Sequence, residues 1–148
     1  MSTVATILAH KDRNIASVSE NDTVLDAARL MRERRIGSVV AAEDGHVDGI
    51  FTERDMLYRV VAEGRDPAKT RVGEVMTRDV ACATPEQSLL EIASLMTQKR
   101  LRHMPVTENG KLCGMITSGD IIAYKVTHLE ETNIFLKEYM HGPQLVEA

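Results

Sequence analysis

Apolar positions at helical spacing open two similar stretches of the chain. Val24, Ala27, Ala28 and Met31 fall at i, i+3, i+4 and i+7, and so do Leu89, Ile92, Ala93 and Met96. Each set makes one apolar helix face. Thr23-Val24-Leu25-Asp26 and Ser88-Leu89-Leu90-Glu91 resemble capping boxes at the two helix starts. The pattern then changes to short apolar runs, Ser38–Ala42 and His103–Thr107, which read as buried strands. Asp44-Gly45 and Asn109-Gly110 follow, residue pairs suited to the positive φ angles of a type I′ hairpin turn. The returning strands are Val47–Phe51 and Leu112–Ile116, and second helices are predicted over Asp55–Ala62 and Asp120–Thr127. Short strands, Ile15–Val18 and Val80–Ala83, precede the first helices. The order is β-α-β-β-α, twice. Pro105 has no N–H to give a ladder, so it belongs at a strand start or on an edge.

The two stretches are copies. Leu25 aligns with Leu90 at a shift of 90 − 25 = 65, and the same shift pairs Leu30 with Leu95, Met31 with Met96, Gly49 with Gly114, Thr52 with Thr117 and Asp55 with Asp120. A gap-free match of this length is the signature of a duplication. Val72–Met76 also resembles Val4–Leu8, at a shift of 72 − 4 = 68, so the first copy carries three extra residues around His10–Arg13. The polar stretch from Glu63 to Thr70, broken by Gly64 and Pro67, reads as a linker. The expected division is residues 1–65, 66–130 and a C-terminal helix and tail over 131–148. His128–Tyr139 looks helical, and Gln144–Ala148 is expected to fray.

Composition narrows the classes. The chain has 148 residues and a formal net charge of −4, which argues against a general nucleic-acid binder while leaving room for a local basic pocket. No apolar run approaches the roughly 18 residues that span a bilayer. The N-terminus has no basic segment ahead of its short apolar stretch, so a cytoplasmic location is expected. Aromatics make up 3% and Trp is absent, so the core must be aliphatic, with the eight Met residues as flexible filling. Cys82 and Cys113 lack CxxC spacing and read as free thiols. The five histidines form no metal-ligand pattern.

Candidate chemistry concentrates at one junction in each copy, Gly49-Ile50-Phe51-Thr52-Glu53-Arg54-Asp55 and Gly114-Met115-Ile116-Thr117-Ser118-Gly119-Asp120. An apolar strand runs into Thr-x-x-Asp and then into a helix. The hydroxyl and carboxylate there can cap the helix. They can also serve a ligand, since helix-start N–H groups favour an anion and a carboxylate suits paired ribose hydroxyls. Arg54 is the first candidate for a phosphate-binding cation, with Arg102 and His103 behind it. Glu53 stands where the second copy has Ser118 and would repel a phosphate. The two sites should therefore differ.

This order, closed twice by Gly-h-h-Thr-x-x-Asp (h apolar), resembles the CBS domain family. Two tandem copies look like a stand-alone CBS pair, or Bateman module, over about Val4 to Thr127. The resemblance implies an α/β (α+β) fold of two β-α-β-β-α repeats packed with pseudo-two-fold symmetry. It implies clefts that bind an adenosine-containing ligand such as AMP, ADP, ATP, NAD, NADH or S-adenosylmethionine, with no catalytic role and no required cofactor or metal. By position it places Asp55 and Asp120 at the ribose and Thr52 and Thr117 near phosphates, while Ser118-Gly119, small and uncharged, would let a phosphate approach the backbone. Gly37, Ser38, Val39, His103, Met104 and Pro105 become the strand starts lining the clefts. It further implies a homodimer formed through the second helices and a protein target that receives the signal. The competing expectation is a structural or interaction module whose clefts hold no nucleotide.

Overall fold

The computed structural model describes residues 2–11 and 14–141, with side chains as far as Leu129. The tail expected to fray, Gln144–Ala148, lies outside the described residues. The elements are α1 (Val4–Leu8), β1 (Ser17–Val18), α2 (Val24–Arg34), β2 (Ser38–Glu43), β3 (His46–Thr52), α3 (Glu53–Asp55), α4 (Val72–Val75), α5 (Leu89–Lys99), β4 (His103–Glu108), β5 (Lys111–Thr117) and α6 (Ser118–His141). A π-helical stretch, Met56–Val61, continues α3. One helix, α6, joins the two segments that periodicity separated.

Local chemistry explains most of these elements. The Thr23 hydroxyl accepts the Asp26 N–H and the Ser88 hydroxyl accepts the Glu91 N–H, each at 3.1 Å. Both helices end on an arginine in the left-handed region, Arg35 at φ 53° and Arg100 at φ 54°. Both hairpins turn on positive φ, at Asp44-Gly45 and Asn109-Gly110. Each pair of strands carries an irregularity at the same place, Ala41/Ala42 and Val106/Thr107.

The repeats diverge at two points, and the first correction follows from one missing proton. In the first repeat Val40 donates its N–H to the Ala16 carbonyl at 3.1 Å, and β1 forms beside β2 in parallel. The equivalent of Val40 is Pro105, which has no N–H to donate. The predicted strand Val80–Ala83 therefore shrinks to an isolated bridge, Ala83 with Val106. The Ala83 N–H still reaches the Pro105 carbonyl at 2.8 Å. The second correction concerns the helix predicted over Asp55–Ala62. It is α-helical for one turn only; then the Ala62 N–H reaches the Leu57 carbonyl at 2.9 Å, the i to i−5 spacing of a π-helix.

The two cores are completed by exchange. Val4, Ile7 and Leu8 of α1 are buried with Leu89, Ile92, Met104 and Ile116 of the second repeat. Val72, Val75 and Met76, at and just after α4, are buried with Val24, Val39 and Phe51 of the first. The backbone bonds match in both places. Val72 donates to Asp22 and Gly73 to Glu20, while Val24 donates to Thr70; likewise Val4 donates to Gln87 and Ala5 to Pro85, while Leu89 donates to Ser2. Neither short helix is predicted above, although Val4, Ile7, Leu8 and Val72, Val75, Met76 each fall at i, i+3, i+4.

On the second helices, Val60 and Ile121 are buried, whereas Leu57, Tyr58, Val61, Ile122, Val126 and Leu129 are exposed. Most of the apolar residues named are uncovered among the described residues.

Gly49 and Gly114 lie where the exchanged segments cross the strands. A Cβ at Gly49 would stand 2.6 Å from the Met76 sulfur and 2.8 Å from the Thr77 backbone oxygen. At Gly114 the nearest atom would be a Leu8 methyl at 2.7 Å. A methyl can rotate away, but a carbonyl paired to a strand cannot. Gly49→Ala is expected to cost about 1–3 kcal/mol, in the range of core overpacking, and Gly114→Ala clearly less. Urea unfolding midpoints check this; equal losses would contradict it.

Candidate ligand-binding site

Both Thr-x-x-Asp junctions form reciprocal caps. Thr52 and Asp55 exchange bonds, the Thr52 N–H donating to Asp55 Oδ2 at 3.0 Å and the Asp55 N–H to the Thr52 hydroxyl at 3.2 Å. Thr117 and Asp120 do the same at 2.9 and 3.1 Å. Capping and ligand binding are thus not exclusive readings. Each carboxylate gives Oδ2 to the cap, and its surroundings decide what else it can accept.

Those surroundings differ. Asp55 is buried, and Arg59 Nε stands 3.7 Å from its Oδ1. Arg59 is itself held down, because its Nη1 donates to the Val75 and Met76 carbonyls at 3.1 and 3.2 Å. The first carboxylate is therefore covered by an arginine tethered to the segment after α4. At a shift of 65, the position of Arg59 is taken by Tyr124. The Tyr124 hydroxyl instead bonds to Ser2, and its ring stacks on His128 with centroids 5.6 Å apart. Asp120 is left with a different cation, Lys11, whose Nζ lies 2.7 Å from Oδ2.

Beside Asp120 opens a cavity of about 950 Å³. Ligand sites commonly have volumes of roughly 300–1,000 Å³. Its walls come from both repeats. Ile15, Ala16 and Ile36-Gly37-Ser38 contribute from the first, and Arg102, His103 and Thr117-Ser118-Gly119 from the second. Among the described residues, Lys11, Arg34, Arg35 and Arg102 line it against one carboxylate, Glu53. A chain of net charge −4 thus holds a locally basic cleft. A Cβ at Gly37 would meet the Glu53 carboxylate at 3.1 Å and His103 Nε2 at 3.5 Å, so these groups share one corner. Desolvation pushes the His103 imidazole below its ordinary value of 6.5, with Arg102 and Lys11 adding to the fall and Glu53 and Asp120 opposing it.

The residues proposed from sequence separate into groups. Gly37, Ser38, Arg102, His103, Thr117, Ser118 and Gly119 meet around the cavity, with Asp120 joined to it through Lys11. Val39, Met104 and Pro105 are buried, outside the lining of this cavity among the described residues. Arg54 lines a neighbouring groove of about 420 Å³, with Arg100, Arg102, Lys125 and an apolar floor including Met96 and Ile121. Thr52 and Asp55 lie at the covered junction. Lys11, Arg34 and Arg35 were not anticipated. The three-residue surplus around His10–Arg13 was the available signal for Lys11. Among the described residues no cluster of His, Cys, Asp and Glu could hold a metal ion, and no helix is long and apolar enough to cross a membrane. Cys82 and Cys113 are not joined in a disulfide, and burial pushes the Cys82 thiol up.

A β-α-β-β-α repeat and a second copy in which the first strand is reduced to a bridge, with a cleft at a Thr-x-x-Asp junction, define a tandem CBS pair, a regulatory module. The chain belongs to the CBS domain family, whose profile matches residues 6–62 and 72–127. It is similar to the mitochondrial CBS domain-containing protein CBSX3 of Arabidopsis thaliana, at 35% identity over 127 residues, which is 82% of this chain and 62% of that protein's length. Its structure resembles that of a CBS-domain protein from Burkholderia ambifaria, with 42% identity, a TM-score of 0.82 and coverage of 85% of this chain and 95% of the other. The fold is also shared with the CBS pair of protein MJ0100, solved with 5′-methylthioadenosine and S-adenosyl-L-methionine, at 22% identity, TM-score 0.76 and coverage of 86% and 98%.

Proposed function

We propose that the chain is a ligand sensor that binds an adenosine-containing nucleotide, AMP, ADP, ATP or NAD(H), in the cleft beside Asp120 and signals its occupancy to a protein partner. The observation that carries this reading is the cavity of about 950 Å³ where both repeats bring small residues and the cations Lys11, Arg34, Arg35 and Arg102 beside the second Thr-x-x-Asp junction. Gly119 and the helix-start N–H groups suit the close approach of a phosphate. The Asp120 carboxylate suits the ribose hydroxyls. The fold shared with MJ0100 accommodates adenosyl compounds in that protein. At the first junction the second reading applies: Asp55, buried under Arg59, is structural.

A thermal-shift series with AMP, ADP, ATP, NAD and NADH on ligand-free protein tests the reading. At least one should raise the melting temperature. Hydrogen bonds to a charged group contribute roughly 1.5–3 kcal/mol, so Asp120→Ala should weaken that ligand by at least about tenfold. Asp55→Ala should lower stability and spare affinity. A transition unmoved by all five nucleotides would end the sensor reading, and equal affinity losses in the two variants would end the distinction between junctions.

The exposed row Leu57, Val61, Ile122 and Val126 supports a homodimer formed through the second helices. Light scattering at micromolar concentration should give twice the chain mass, and the chain mass for Leu57→Asp combined with Ile122→Asp. A wild-type protein already at the chain mass would remove the dimer from the account.

A further inference from the structure

Lys11 occupies an unusual place in the cleft. Its ammonium donates to Asp120 Oδ2 at 2.7 Å and to the Met115 carbonyl at 3.0 Å. The same Oδ2 already accepts the Thr117 N–H at 2.9 Å. Seating a pair of ribose hydroxyls across both oxygens of this carboxylate therefore competes with Lys11 for Oδ2.

The pseudo-symmetric position shows what Lys11 replaces. There the segment after α4 pairs with the strand through its backbone, Thr77 and Ile50 exchanging N–H···O bonds of 2.9 Å in both directions. Ile50 is the equivalent of Met115. In the second repeat the Met115 carbonyl is served by a side chain on four flexible methylenes, from the stretch where the first copy carries its three extra residues. A backbone bridge cannot leave without unpairing a strand, whereas an ammonium can swing. Lys11 is also a wall residue of the cavity, so its new position lies within the same site. The ion pair is partly open to solvent, at 31% and 22% side-chain exposure, so releasing it is not prohibitive.

We propose that Lys11 sets the selectivity of the cleft for phosphorylated over neutral nucleosides, by leaving Asp120 for the ligand's phosphate when the ribose arrives. A neutral nucleoside displaces Lys11 and gives its ammonium no new partner. A nucleotide displaces it and receives it, a charge-assisted bond replacing the one given up. Lys11 thus opposes one class of ligand and favours the other. Glu53, the carboxylate lining the cavity, offers the freed ammonium no advantage once a phosphate is present, because the phosphate carries more charge.

The inference rests on the nucleotide reading, and one experiment separates the two. Isothermal titration calorimetry compares AMP with adenosine on the wild type and on Lys11→Met. Removing Lys11 should weaken AMP and leave adenosine as tight or tighter, so that the AMP-to-adenosine preference falls about tenfold or more. Lys11→Gln, which keeps length and polarity without charge, should do the same and guards against a packing defect in the Met variant. If AMP and adenosine weaken by the same factor in both variants, Lys11 is only structural and the proposal fails while the nucleotide reading stands. Unchanged affinities for both ligands overturn the proposal in the same way. If the wild type binds neither compound, the proposal falls, and the nucleotide reading falls with it only when ADP, ATP, NAD and NADH also fail to bind.

Discussion

Neither repeat closes its own core. Each presents a small strand layer with an apolar face and one amphipathic helix, and each takes its missing wall from a short helix outside its own β-α-β-β-α run. The segment ahead of the first repeat covers the second, and the segment ahead of the second covers the first. Val4 and Val72 are both fully buried in these exchanged positions. Burying a Val or Leu side chain contributes roughly 1.5–3 kcal/mol, so the exchange supplies a substantial part of each core. It also ties the repeats together more firmly than a surface contact would.

The exchange has a consequence for chemistry. To reach the opposite core, each segment must cross the glycine of Gly-h-h-Thr-x-x-Asp, next to the junction that bears the carboxylate. Where the crossing is tight, at Gly49, the segment pairs with the strand, and Arg59 is pinned between Asp55 and the Val75 and Met76 carbonyls. Near Gly114, where three extra residues follow the crossing segment, the contact passes to Lys11, and a cavity remains between the repeats. Duplication thus produced two junctions with the same motif and different availability. The widened π-helical turn belongs only to the covered one.

Much of this was legible in the sequence. Strand pairs, hairpins and amphipathic helices are written in local spacing, and Asp44-Gly45 and Asn109-Gly110 turn as their residue types require. An inequality of the two sites was expected from Glu53 against Ser118, yet both residues line the one cavity; what differs between the junctions is Arg59 at Asp55 against Lys11 at Asp120. The lost strand at Val80–Ala83 was recoverable. Pro105 signalled a missing donor, but the consequence falls on the neighbouring segment that would have received the bond rather than on the proline. The exchange of α1 and α4 was not recoverable from periodicity, because an apolar face does not say which surface it meets. Arg54 shows the same limit: its place in the motif suggested the cleft, yet it lines the adjoining groove.

The central claim is that one of the two junctions is a binding site and the other a structural cap. The stoichiometry of nucleotide binding tests it most directly. Calorimetric titration of an adenine ribonucleotide that shifts the melting transition should give one site per chain, and that site should disappear in Asp120→Ala. Two equivalent sites per chain, or a single site that survives in Asp120→Ala and is lost in Asp55→Ala, would contradict the account.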